Sequence, residues 1–254
     1  MKGYIKKYGV TVLIVLAAYM GYAYLTVNGL IDKFVFPTPG KIGAAFASNF
    51  YPVMLINMRE SFLLLIPSLI IGVGIALLLG IAMGLDKKIR DTLYPIVYAI
   101  GVIPALLLSP IALYMAPDFR IASVFLIVYN TIFPTLFATI TGIMTIDKRY
   151  LDNAATLELT GLKRIRKVIL PAAMPAIMGG FVTSLRGSFL ILVFAEMYGT
   201  QYGMGYFIKK YANFGIYTNV WAGFIFMVVV LILVMQVFDR WQRYMLRWTM
   251  DDQK

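Results

Sequence analysis

Apolar residues fill this chain in long runs, broken by short clusters of charge. Six runs are long enough to cross a lipid core as helices, at roughly 8–27, 62–85, 92–116, 120–144, 172–198 and 220–238. A helix rises about 1.5 Å per residue, so ~20 residues match a hydrocarbon layer about 30 Å thick. The pattern predicts an all-α membrane protein with six transmembrane helices, forming one domain over residues 1–254. A soluble fold with a large core would lack the polar side chains to cover its surface, because only 14% of the residues are charged.

Two stretches depart from the pattern. In residues 28–60, Pro37 and Pro39 punctuate the chain. Ile42, Ala45 and Phe46 then recur at helical spacing, which predicts a short amphipathic helix at the membrane interface. The second stretch, within a loop of about 147–171, reads YLDNAATLELTGLKRIRKVILP. Here Asp152 is placed to cap a short helix running to Leu159, and Gly161 to stop or turn it. A second helix follows. Leu162, Ile165, Val168 and Ile169 mark one face, and Lys163, Arg164, Arg166 and Lys167 the other. Pro171 opens the next span, where a helix-start proline costs little.

The net charge of +11 is explained by where the cations fall. With a cytoplasmic N-terminus, one side collects sixteen: Lys2, Lys6, Lys7, Lys87, Lys88, Arg90, Lys148, Arg149, the four of the basic helix, Arg240, Arg243, Arg247 and Lys254. The other side receives six: Lys33, Lys41, Arg59, Arg120, Lys209 and Lys210. Cations accumulate on cytoplasmic loops, so both termini and the 147–171 loop are expected in the cytoplasm. Topology accounts for the charge without nucleic acid. The first run has the basic flank of a signal peptide. It is nevertheless long enough to span, with no small-residue cleavage site before Asn28, so it is expected to remain as a helix.

The chain has no Cys and no His, which excludes thiol nucleophiles, disulfides, Cys/His metal sites and His bases. PTPGKI at 37–42 has the Gly-Lys of a phosphate loop but neither its upstream Gly nor its Ser/Thr. The chain is therefore not expected to hydrolyse nucleotide by that route. Pro95, Pro104 and Pro110 in the third run suit either a broken helix facing a pathway or a kinked packing helix. The fourth run holds Asn130, Thr131, Pro134, Thr135, Thr139 and Thr141, which suit interhelical bonds or pathway lining, with Asn130 the best pathway candidate. Arg186 and Glu196 stand in the fifth, about 15 Å apart along the helix and so unable to pair. Charges in a span read as translocation or gating groups, or as structural partners for another helix. Gly179, Gly180, Ser184, Gly187 and Ser188 offer a small-residue surface for close helix contact or for a dimer interface. The pathway candidates are thus Asn130, Ser184, Arg186 and Glu196.

The stretch NAATLELTGLKRIRKVILP resembles the EAA coupling loop of ABC importer permeases. Ala154 and Ala155 match its alanines, Gly161 its glycine, and Ile169, Leu170 and Pro171 its close. Asn153 stands where the pattern has an acid, with Asp152 beside it. FPTPGKIGAAF, GVIPALLLSPIALYM and FAEMYGTQYGMGYFI resemble segments of the nitrate/sulfonate/taurine branch. The resemblance covers about residues 35–240. It implies a pore-forming subunit with a type I importer fold, paired with a second permease copy. Two ATPase subunits would dock on Asp152, Asn153, Ala154, Ala155, Glu158, Gly161 and the Ile169–Pro171 close. They would carry the ATP and Mg that this chain does not bind. An extracytoplasmic binding protein would deliver the solute. The branch handles sulfonates, taurine, nitrate and bicarbonate, and also thiamine-precursor-like heterocycles. Arg186 suits an anion, while 17 Tyr and 17 Phe offer rings to stack a planar one, though most are expected at interfaces or in packing. The alternative, an ion-coupled secondary transporter, calls for repeated halves and several intramembrane carboxylates. The sequence shows no internal repeat and Glu196 alone.

Overall fold

The computed structural model describes residues 2–247, with side chains from Gly9 onward. Of the cations counted above, Lys254 and the side chains of Lys2, Lys6 and Lys7 lie outside the described residues. Among the described residues the regular elements are all helices. In order the helices are α1 (Lys2–Val27), α2 (Pro39–Asn49), α3 (Leu55–Leu85), α4 (Lys87–Gly101), α5 (Ser109–Met115), α6 (Phe119–Met144), α7 (Lys148–Thr156), α8 (Gly161–Arg164), α9 (Leu170–Gly199), α10 (Met204–Asn213) and α11 (Tyr217–Met245). Five helical stretches, containing α1, α3, α6, α9 and α11, are long and apolar enough to cross a membrane. The sixth candidate is α4 with the segment Ala105–Met115, bent by 75° at the break.

That bend resolves the proline-rich run as a broken helix. Pro104 is extended, with ψ at 133°, and cannot donate to the turn before it. The carbonyls freed at the break need a donor. The Tyr129 hydroxyl, from α6, lies 2.6 Å from the Ile100 carbonyl and 3.2 Å from that of Ile103. Phe133 fills the space beside Gly101, where a Cβ would sit 2.7 Å from its ring. Pro95 and Pro110 are accommodated within α4 and in the first turn of α5.

The second span starts earlier than the apolar run suggests, at Leu55 and not at residue 62. Arg59 and Glu60 look like a boundary but lie within the helix, 3.6 Å apart. The amphipathic helix expected after Pro39 is α2. Its Ile42 is buried, and Ala45 and Phe46 pack on the same core, with Phe46 edge-on to Phe226 of α11. The 28–38 connection is held to α11 by Trp221 Nε1, which donates to the Val35 carbonyl at 2.9 Å. Tyr22 of α1 donates to the Pro37 carbonyl at 2.7 Å.

The centre of the molecule is α6, held between α3 and α9. On α3, Gly72, Ala76, Gly80 and Gly84 recur every four residues and face α6. A Cβ on Gly72 would sit 2.6 Å from Thr131 Cβ, and one on Gly80 2.7 Å from Thr139 Cβ. From the other side, a Cβ on Gly180 would lie 2.7 Å from the Pro134 carbonyl oxygen, and one on Gly142 2.8 Å from Ala176 Cβ. The small residues of α9 are therefore spent within the chain, against α6. This corrects the option of a dimer interface for Gly180, Ser184 and Ser188, which are all buried. Gly179 alone of that set has open space around it.

The neighbouring glycines of α9 make a direct test. Gly180→Ala should lower the thermal midpoint of the purified chain in detergent, at a cost of about 1–3 kcal/mol for overpacking. Gly179→Ala should leave it unchanged or slightly raised, since alanine is the better helix former. Tryptophan fluorescence on heating reads both.

Candidate functional site

Two places carry polar or exposed groups that the fold itself does not consume. One is the connection between α6 and α9. The other is an open face near the middle of α6 and α9.

The connection begins one turn before the expected cap. Asp147, and not Asp152, caps α7, accepting from the Arg149 amide at 2.9 Å. The Arg149 guanidinium also grips it, Nη2 to Oδ2 at 2.8 Å, and this hydrogen bond holds the Asp147 carboxyl below its usual range. Asp152 lies inside the helix and is exposed. The stop also differs from expectation. The helix ends at Thr156, because Glu158 turns left-handed at φ +51°. The Leu159 amide then donates to the Ala154 carbonyl, and the Glu158 amide to that of Ala155, both at 2.9 Å. This pairing is a Schellman close with glutamate where glycine is usual. Gly161 makes a second left-handed turn at φ +53°, with no atom near its missing Cβ. It starts α8, and a wide turn over Ile165–Ile169 leads into α9.

The alanine pair is divided. Ala154 is buried, while Ala155 is exposed beside Asp152, Asn153 and Glu158. Inside, Ile143, Ile169, Ala173 and Ile177 form a cluster with Leu151 and Ile165 packed on it, which joins α7 to the ends of α6 and α9. Leu170 packs there too, and Pro171 sits in the first turn of α9. Leu162 departs from the apolar face assigned to it and stands 82% exposed, with Leu157 at 70%. A groove of about 360 Å³ runs between Tyr150, Asn153, Leu157, Val168 and Pro171. Exposed leucines, one of them on the wall of this groove, mark a contact surface.

The second place lies at membrane depth. Ser184 is fully buried between α6 and α9, donating to the Thr131 carbonyl at 2.8 Å and paired with Thr135 Oγ1 at 2.8 Å. Ser188 pairs with Thr131 Oγ1 at 2.7 Å. These hydroxyls fasten two helices. Asn130 is half-buried at the edge of that seam, its Nδ2 3.4 Å from Ser188 Oγ and its side chain lying over Gly187. Arg186 is exposed and makes no hydrogen bond or ion pair with a described residue. It shares the open side of α9 with Pro175, Gly179 and Thr183.

Glu196 lies elsewhere, near the end of α9 that leads to α10. It is 1% exposed, and its Oε2 accepts from the Gly205 amide at 2.8 Å. Asn57 and Ser61 of α3 accept from the preceding amides, Gly203 at 2.9 Å and Met204 at 3.0 Å. Three consecutive amides at the start of α10 are thus held by three side chains. A carboxylate suits a helix N-terminus. Gly203, at φ +119°, admits no side chain, because a Cβ would strike the Glu196 carboxyl. A cavity of about 460 Å³ borders Glu196, with Glu60, Asp118 and Arg120 on its walls. Sequence reading missed Asn57 and Ser61. Their spacing of four, within the first turns of a long apolar helix, was the available signal.

The family model of binding-protein-dependent transport system inner membrane components matches residues 72–250. The chain belongs to this family, and it is an ABC transporter permease of the type its nitrate, sulfonate and bicarbonate relatives represent. It is 29% identical over 225 residues to SsuC of Bacillus subtilis (strain 168), named as a candidate aliphatic sulfonates transport permease; the match covers 87% of this chain and 80% of that one. It is 34% identical over 142 residues to the nitrate import permease NrtB of Leptolyngbya laminosa, covering 56% of this chain and 50% of the relative. It is 31% identical over 140 residues to the bicarbonate transport system permease CmpB of Synechococcus elongatus (strain ATCC 33912 / PCC 7942 / FACHB-805), covering 55% and 49%. The chain thus spans about half the length of the nitrate and bicarbonate permeases it matches.

The glutamate at the close of α7 yields a prediction. A non-glycine residue in a left-handed turn costs about 1–2 kcal/mol. Glu158→Gly should therefore slow hydrogen exchange at the amides of Glu158 and Leu159 several-fold. Exchange in α11 should be unchanged.

Proposed function

We propose that this chain is the pore-forming subunit of an ATP-driven importer, passing a small solute by alternating access. Two copies would form the pore. Two ATPase subunits, carrying ATP and Mg, would seat against α7 and α8, and a separate binding protein would deliver solute on the opposite side. In this reading both termini and the α7–α8 loop face the cytoplasm, as the cation bias favours.

The observation that carries the reading is the construction of the loop. Its outer surface exposes Leu157, Leu162 and Ala155, and a groove there is lined by Asn153 and Leu157. Its inner surface is anchored by Leu151 and Ile165 to Ile143 of α6, to Ile169 just before α9 and to Ala173 within it. A partner that pulls on α7 therefore pulls on α9, which carries Arg186. No covalent chemistry is required of the chain. Asn153 in place of an acid removes one charge from the docking surface but leaves the neighbouring Asp152 exposed for the same role.

Among the pathway candidates, Arg186 and Asn130 lie on the open face and are retained. Ser184 and Glu196 are engaged in holding helices, and we assign them to positioning the pathway.

Gly161 separates docking from folding. Its φ of +53° is reached by Asn but resisted by β-branched residues, and no neighbour would clash. In the assembled transporter, Gly161→Val should reduce ATP-dependent uptake at least about tenfold at unchanged membrane content, while Gly161→Asn should retain most of it. Normal uptake by the valine variant would end the docking role.

A further inference from the structure

We propose that the face shared by α4, α6 and α9 takes a planar organic anion: an aromatic or heteroaromatic ring bearing a carboxylate or sulfonate. Arg186 is its charge partner, and Tyr94, Tyr98 and Phe137 are its stacking surface. The proposal rests on the reading of this chain as a permease subunit and specifies what passes.

Depth is the first argument. Arg186 stands near the midpoint of α9 and is exposed, without a partner among the described residues. A guanidinium facing hydrocarbon at that depth is costly, and such groups turn to a partner or a water-filled cavity. Tyr94 and Tyr98, within α4, are 40% and 56% exposed, and their hydroxyls donate to no described residue. A phenol hydroxyl left in lipid without a partner is likewise unfavourable. Together with half-buried Asn130, these groups describe a wet surface.

Contiguity is the second. On α6, Asn130, Phe133, Phe137 and Thr141 recur at helical spacing and share one side. Phe137 touches Tyr94 and Tyr98 of α4, with ring centroids 5.8 and 6.3 Å away. Asn130 lies over Gly187, the residue after Arg186. The rings and the charge therefore border one surface. Toward the start of α4 this surface continues into a cavity of about 680 Å³ lined by Arg90, Asp91, Tyr94 and Thr141, which does not extend to Arg186.

Ring geometry is the third. Tyr94 and Tyr98 are stacked at 6.1 Å with 15° between their planes, and Phe137 meets both edge-on. A small aliphatic anion would use Arg186 and leave these rings idle. A neutral heterocycle would use the rings and leave Arg186 unpaired. A planar anion engages both, adding ring stacking and cation–π attraction to the ion pair.

The absence of cysteine makes the test clean, since any single cysteine reports without background. Membranes holding the complete transporter, with ATPase and binding protein, are labelled by a charged methanethiosulfonate. Tyr98→Cys, Tyr94→Cys and Thr183→Cys should label. Leu78→Cys, at a position 74% exposed on α3, should not. Excess benzenesulfonate should slow labelling at Thr183→Cys, one turn from Arg186, by roughly fivefold or more, as a saturating ligand does. Methanesulfonate should not, and protection should vanish when Arg186→Gln is added. Labelling at Tyr98→Cys and Tyr94→Cys no faster than at Leu78→Cys overturns the wet face. Equal protection by both sulfonates, or protection that survives Arg186→Gln, overturns the substrate class. ATP with Mg²⁺ should change the labelling rate at Thr183→Cys. An ATP effect without benzenesulfonate protection leaves the permease reading standing and removes this one.

Discussion

The close approach of α6 to its two neighbours is the constraint on which the rest depends. Within a bilayer, water does not push apolar helices together, so packing and interhelical hydrogen bonds must do so. Both require the backbones to come near. Gly72, Gly80 and Gly84 of α3 leave grooves for the β-carbons of Thr131, Thr139 and Ile143. Gly180 of α9 does the same for Pro134 and Ala138. Once the helices are that close, Thr131, Thr135, Ser184 and Ser188 lie within hydrogen-bond reach and satisfy one another.

This arrangement sorts the polar groups of the membrane region into two sets. Those facing the α6 seam are matched and buried, and they specify the packing. Arg186, Tyr94 and Tyr98, turned away from it, make no hydrogen bond or ion pair within the described residues. The same helix thus separates the packing groups from the proposed pathway groups by the side on which a residue falls. Sequence spacing alone hides this, because Ser184 and Arg186 are two residues apart and face different surroundings.

Much of the fold was legible from apolar runs, since a span declares itself by length. What escaped was interaction between runs. The four-residue repeat of Gly72, Ala76, Gly80 and Gly84 was readable but meant little until α6 was placed against it. The option of a dimer surface on α9 failed for the same reason: a small-residue stripe does not say which helix it receives. The prolines of the third run marked a weak point, yet the bend depends on Tyr129, 25 residues beyond Pro104 in sequence, to satisfy the freed carbonyls. In the α6–α9 loop, the motif located the glycine turn correctly. It could not show that Asp147 caps α7, that Glu158 ends it, or that Ala154 and Ala155 face opposite ways. Those outcomes depend on single dihedral angles, which residue type biases only weakly.

The three-amide hold on α10 has a mechanical meaning. With α7 anchored to the start of α9 and α10 clasped at its end by Glu196, Asn57 and Ser61, α9 is tied to its neighbours at both ends. Its 30 residues make an arm of ~45 Å. Tilting such an arm by ~10° about one end carries the other through ~8 Å. Pro175 lies within that length, and because Asn57 and Ser61 belong to α3, a movement of α9 that reaches α10 is also felt at α3.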